Sequence, residues 1–364
     1  MKFNHPLLTH QLPALLLAAA ITTGLCTTPA LAATETLHFR DVAADAPYAA
    51  AVQYVYDNDI AYGTGDDTFS PDSLITYGQL SLMLCRMYWP DEIWDFESAT
   101  NHIREHMGYI MDPSEAQYSY VANSTAYHAI LSCNDIPVYS QSLYEPDNNA
   151  KVDDAIYMAI KLGLCDGSDT ERKLITRSDA AQMIYQVSQT ELEMEEPPII
   201  EKLNVKIEED FKSKCSPYLE TAAELPEAIL DRFEGKGWSL VIGNDFIDDW
   251  SRKNGSLAIG LTSYTNKSIY VRSSSSVTHE FGHFLHSALG RPLIIGDLFE
   301  KESEQARAII GDYASTNKSE YFAEFFDKWF NWSDTKLQKL QEVAPETYAY
   351  FTELERQGWL PAEN

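Results

Sequence analysis

His279-Glu280-Phe281-Gly282-His283 is the sharpest chemical feature of this 364-residue chain. On a helix, positions i and i+4 share a face. Two imidazoles so placed can hold one Zn²⁺ per chain, each nitrogen roughly 2.0–2.1 Å from the metal. Glu280, beside the first histidine, is then positioned to take a proton from an attacking water as general base. The surroundings favour a helix. Ser275, Ser276 and Thr278 offer caps, Phe281, Phe284, Leu285 and Leu289 give an apolar side, and Gly290-Arg291-Pro292 ends the run. The same residues also fit a plain amphipathic helix whose histidines face water.

A catalytic zinc takes three protein ligands and keeps one position open. The extended form of the motif needs a glycine at position 286 and a histidine at 289. His286 and Leu289 stand there, so that form is excluded. The other source is a glutamate from a second helix, and Glu300, Glu302, Glu304, Glu320 and Glu324 are the candidates. Residues 317–326 read as a strong helix on which Glu320 and Glu324 share a face by i,i+4 spacing. A carboxylate among Tyr321, Phe322, Phe325 and Phe326 is costly unless paired or metal-bound. Glu320 is therefore the preferred third ligand, and Glu324, one turn later, would orient a ligand histidine. The competing reading makes Asn317 an N-cap and Glu320 its capping-box partner.

Strands must set this helix pair beside a substrate. Ser239–Ile242 reads as one strand, and Leu257–Ser263 with Ser268–Ser273 as a hairpin around Thr265-Asn266-Lys267. Ala258–Ser263 is the expected edge, able to pair with an extended peptide through backbone hydrogen bonds. Trp250 is a candidate subsite wall, or an ordinary packed tryptophan.

The rest of the chain sets the context. The net charge is −28, with 55 acidic against 27 basic side chains. That balance argues against nucleic acid, because phosphate binding needs clustered Lys and Arg. Residues 1–33 hold one charged side chain, Lys2, then an apolar run from Leu12 to Leu25, then Ala30-Leu31-Ala32. This is the layout of a cleaved export signal, and it implies a secreted protein with no transmembrane segment after cleavage. Four cysteines follow it, Cys85, Cys133, Cys165 and Cys215, and their pairing is not legible. The acidic, Pro-Pro segment 191–198 cannot continue a helix and marks a linker between 34–190 and 199–364.

Residues 38–188 contain a weak repeat of helix, loop and capped helix. The first copy runs through Phe39-Arg40-Asp41-Val42, Gly63-Thr64-Gly65-Asp66-Asp67, Phe69-Ser70-Pro71-Asp72 and Ile75-Thr76. The last runs through Gly163-Leu164-Cys165-Asp166-Gly167 and Ile175-Thr176-Arg177-Ser178-Asp179. A middle copy is placed over Tyr127–Leu162, with Tyr144-Glu145-Pro146-Asp147 as its turn. This repeat resembles the S-layer homology domain of bacterial surface proteins. The resemblance implies attachment to cell-wall polysaccharide and makes Arg177 a polymer-contacting residue, with Tyr77 at that position in the first copy.

The His279–His283 motif, Tyr313, Glu320–Phe326 and Ala344-Pro345-Glu346-Thr347-Tyr348 resemble the catalytic domain of the anthrax lethal factor and Pro-Pro endopeptidase family over about residues 236–355. The resemblance implies a zincin-like metallopeptidase. His279, His283 and Glu320 become zinc ligands, Glu280 the base and Tyr313 an oxyanion donor. The second glutamate of the Pro-Pro endopeptidases is replaced here by Ser319. The expected fold class is α+β: all-helical S-layer-like repeats, then a small mixed sheet with an edge strand, the motif helix and a glutamate-bearing second helix. The expected function is a cell-surface zinc endopeptidase acting on extended peptides. Its alternatives are a non-catalytic wall-binding protein and a peptidase of wall cross-links.

Overall fold

A computed structural model describes residues 37–108, 117–148, 152–167 and 171–360. The expected export signal lies outside them. The architecture is α+β, with helices dominating and one four-stranded sheet.

The first half is built from three helix pairs: α1 (Ala49–Asp57) with α2 (Tyr77–Tyr88), α3 (Phe96–His106) with α4 (Asn123–Cys133), and α5 (Asp154–Lys161) with α6 (Arg177–Gln189). The residues just before α2, α4 and α6 close a ring. Ile75 N–H donates to Ile175 C=O (3.1 Å), Ile175 to Val121 (3.0 Å), and Val121 back to Ile75 (3.1 Å). All three side chains are buried, so the ring has an apolar centre with its backbone groups paired. A second set repeats the pattern outside it: Tyr77 N–H to Ser119, Asn123 to Lys173, and Arg177 to Ser73, at 2.8–2.9 Å. Three equivalent copies around a pseudo-threefold axis produce this geometry.

The ring corrects the middle copy. Its Ile-Thr counterpart is Val121-Ala122, its first helix is α3 and its second is α4. Thr76 and Thr176 close capping boxes with Gln79 and Asp179. Ala122 has no oxygen to do so, and α4 starts without a side-chain cap. That missing hydroxyl is why the sequence pattern slid to the next helix.

The second half opens with α7 (Pro198–Lys202), α8 (Ser216–Ala223) and α9 (Glu227–Gly235), and its sheet consists of β1 (Lys206–Ile207), β2 (Ser239–Ile242), β3 (Gly260–Ser263) and β4 (Ser268–Val271). Strand order is β1-β2-β4-β3. β1, β2 and β4 are parallel, and β3 pairs antiparallel with β4 from Gly260↔Val271 to Ser263↔Ser268. The expected hairpin is therefore present, and β3 is a free edge. α10 (Asp245–Asn254) links β2 to β3. Then come α11 (Val277–Ala288), α12 (Ile294–Ile310), α13 (Lys318–Asn331), α14 (Asp334–Val343) and α15 (Pro345–Arg356).

The halves touch: Ser140 N–H donates to Ser216 Oγ at 2.9 Å. All four cysteines among the described residues are free thiols, with burial pushing Cys85 up to about 12 and Cys215 up to about 11. No helix of the described residues is long and apolar enough to cross a membrane.

Candidate active site

The motif residues lie on α11, as their spacing predicts. Phe281, Phe284 and Leu285 are buried in the core, where Phe233 meets Phe281 and Phe284 at 4.9 and 5.1 Å between ring centres. The 3.6-residue period then turns His279 and His283 to the other side, towards α13. Gly282 sets how close α13 comes. A Cβ there would lie 2.8 Å from Ala323 Cα, so only glycine permits this approach.

Across that contact, Glu320 Oε2 lies 3.3 Å from His279 Nε2 and 3.1 Å from His283 Nε2. All three candidate ligand atoms fall within 4.8 Å of one another. A tetrahedral ion with bonds of ~2.0–2.1 Å needs ligand–ligand edges of ~3.3–3.4 Å. The donor set fits zinc in type, and the two edges to Glu320 match that spacing. The histidine side chains are 12% exposed and Glu320 17%. Burial alone would push the His279 imidazole down. Hydrogen bonds to Glu320 and Glu324, with the Glu280 charge nearby, outweigh burial and raise it to about 10. Burial alone would push Glu320 up, but the two imidazoles hold it down at about 2. The carboxylates therefore make this a pocket that favours a cation.

The capping-box reading of Glu320 is not realised. Asn317 caps α13, accepting from the N–H of Ser319 (2.9 Å) and Glu320 (3.1 Å). The Glu320 carboxylate turns to the imidazoles and does not reach back to close a box. Glu324 Oε1 meets His279 Nδ1 at 3.1 Å, and Glu324 Oε2 meets Lys328 Nζ at 3.0 Å. The other glutamates are elsewhere. Glu302 is buried and accepts from Glu346 N–H, Thr347 N–H and Thr347 Oγ1, capping α15. Glu304 pairs with Arg307, and Glu300 is exposed.

Glu280 is 5% exposed and receives the Thr262 hydroxyl on Oε2 at 2.7 Å. Burial pushes its carboxyl up, partly offset by His279 and His283. Tyr313 lies in a 3₁₀ turn held by Asp312, which accepts from Arg307 Nε at 2.6 Å. Its ring centre is 5.9 Å from that of His279, and 57% of the residue is exposed. Burial of part of the ring and the carboxylates of Glu320, Glu280 and Glu324 raise the phenol, keeping it a proton donor. A cleft of about 720 Å³ joins His279, Glu280 and Tyr313 to Trp250, Leu257 and Ile259. Sequence reasoning assigned no role to Thr262 or Ser319, because each acts across a tertiary contact, and it passed over Lys328, which meets Glu324 at i,i+4 spacing on the same helix. Arg177 is in the first half, 6% exposed. Its Nε donates to Phe69 C=O at 2.8 Å, and its guanidinium lies over the Phe69 ring.

A helix pair presenting two histidines and a glutamate beside a free edge strand is an arrangement able to hold a metal ion. Comparison with known proteins agrees. Residues 241–354 match the family described as anthrax toxin lethal factor, N- and C-terminal domain, a zinc metalloprotease family, which supports a hydrolase. Residues 38–81 match the S-layer homology domain, which indicates association with the bacterial cell surface. That second match covers the first of the three copies. No curated protein matches the chain.

Proposed function

We propose that this chain is an exported, wall-associated zinc endopeptidase, with residues 199–364 catalytic and 34–190 the anchor, joined through 191–198. The observation that carries the reading is the convergence of His279 Nε2, His283 Nε2 and Glu320 Oε2 beside Glu280 and a free strand edge. Zinc held by those three residues supplies a Lewis acid that polarises a carbonyl and activates water near neutral pH.

The remaining work falls to the protein. β3 has an unpaired edge, so its backbone groups can hold an extended peptide in register. Gly260 brings this strand so close that a Cβ there would lie 2.6 Å from Glu280 Oε1. Thr262 occupies Glu280 Oε2, leaving Oε1 to take the proton of the attacking water and pass it to the leaving amine. The buried, upward-shifted carboxyl suits a group that must both accept and return a proton. The Tyr313 phenol donates to the developing oxyanion. Glu324 holds His279 through Nδ1, leaving Nε2 for the metal.

The helical half would retain the enzyme on cell-wall polysaccharide, a reading supported by the S-layer homology match. Arg177 serves it from the seam between the first and third copies, where it donates to Phe69 C=O while Ser178 donates to Pro71 C=O.

The test is cleavage of a combinatorial peptide library by the mature chain, with and without chelator, read by mass spectrometry. Chelator-sensitive cuts are expected. Glu280→Gln should bind one zinc per chain and make no cuts. Full cleavage by Glu280→Gln would overturn the mechanism.

A further inference from the structure

The two candidate ligand histidines are supported in different ways. His279 leans on an ionic chain: Nδ1 on Glu324, Glu324 on Lys328, and Lys328 on Asp327 at 2.6 Å. His283 has no carboxylate behind it. Its Nδ1 lies 3.2 Å from Ser319 Oγ, and Ser319 Oγ lies 3.4 Å from His286 Nδ1.

Hydrogen-bond arithmetic fixes a direction along this second chain. Nε2 of His283 faces Glu320, so on the zinc reading Nε2 binds the metal and Nδ1 carries the proton. Ser319 Oγ then accepts from His283 and must send its own hydrogen elsewhere. His286 Nδ1 is in reach as acceptor, which puts the His286 proton on Nε2.

His286 is built as a fixed end. It is 2% exposed, and its ring stacks on Phe322 at 5.0 Å with a 20° interplanar angle. Its Nε2 is buried with no hydrogen-bond partner among the described residues. An unpartnered buried N–H carries an uncompensated desolvation cost. A phenylalanine in the same stack would avoid that cost. Packing alone therefore does not account for an imidazole here.

We propose that Ser319 and His286 are positioning residues for zinc, a hydroxyl–imidazole support that orients His283 as Glu324 and Lys328 orient His279. The inference rests on the zinc reading and deepens it. It makes the two histidines unequal: one is backed by an anion, the other by a neutral relay.

The test is zinc affinity of the mature chain, measured by competition with a fluorescent chelator. Ser319→Ala should weaken affinity ~10–100-fold, the range for loss of an outer-shell partner. Ser319→Thr keeps the hydroxyl and should retain most of the affinity. His286→Phe preserves the stack. It should weaken affinity in the wild-type background and add nothing in the Ser319→Ala background. Unchanged affinity in Ser319→Ala, or equal losses from His286→Phe in both backgrounds, would overturn the relay. A wild-type chain that binds no zinc would instead overturn the zinc reading itself.

Discussion

Gly282→Ala tests the spacing on which the whole site depends. The added Cβ would meet Ala323 Cα at 2.8 Å, Ala323 O at 3.2 Å and Ala323 Cβ at 3.3 Å. Carbon atoms rest at about 3.5–4.0 Å. α11 and α13 must therefore part by roughly 0.7–1.2 Å at this point. The nearest atom is backbone, so no rotamer change relieves the clash. For stability, two terms oppose. Alanine gains about 1 kcal/mol over glycine inside a helix, while overpacking costs about 1–3 kcal/mol. The net loss is small, about 0–2 kcal/mol. Zinc affinity has no compensating term. Both histidines ride on α11 and Glu320 rides on α13. Metal–ligand distances tolerate only about 0.2 Å. The expected result is a melting temperature of the chelated protein within a few degrees of wild type, with zinc affinity down on the order of 100-fold. Ala323→Gly should not restore it, because Cα and the carbonyl oxygen remain in the way. Chelator competition beside thermal unfolding provides both readings. Wild-type affinity in Gly282→Ala, or its rescue by Ala323→Gly, would refute the argument.

Three further outcomes follow from buried groups. Glu302→Ala removes three hydrogen bonds at the start of α15 and should cost about 1.5–3 kcal/mol in urea unfolding with zinc affinity unchanged. Glu320→Ala should do the reverse, and equal zinc losses would sink the ligand choice. His286 contributes a pH dependence: burial, with His283, Arg291 and Lys318 adding, pushes it from 6.5 down to about 4. The unfolded chain takes up this proton first. The contribution to stability is therefore whole above about pH 6.5 and is lost as pH falls towards 4, up to ~3 kcal/mol. Urea midpoints in chelator at pH 7 and 4.5 should show this slope in wild type and not in His286→Phe; identical slopes would refute it.

What was legible in the sequence was what local periodicity encodes. His279 and His283 share a helix face because 3.6 residues make a turn, and Glu320 and Glu324 do so for the same reason. The hairpin was marked by its turn residues. Where the reading failed, the signal was tertiary or missing. β1 is two residues long and is a strand only because β2 lies beside it. The middle repeat slid out of register because Ala122 lacks the hydroxyl of Thr76 and Thr176. Ser319 looked like the loss of a glutamate. Its hydrogen bonds to His283 and His286 arise only when α13 closes on α11.

The position of α11 explains why the proposed metal ligands and the proposed base are set together. Gly282 faces α13, and Gly260 on β3 faces the side chain of Glu280, so side chains are deleted at two contacts of the same helix. At the first contact the approach of α13 carries Glu320 and Glu324 onto the histidines. At the second the approach of β3 carries the Thr262 hydroxyl onto Glu280. A helix separated from either neighbour by a methyl group would keep its motif and lose its partners. The free edge proposed to hold a peptide belongs to the strand that orients Glu280, so on that reading peptide register and proton acceptor are fixed to one element. Positioning of this kind sets the reacting groups before substrate arrives, which is where much of the barrier reduction by orientation originates.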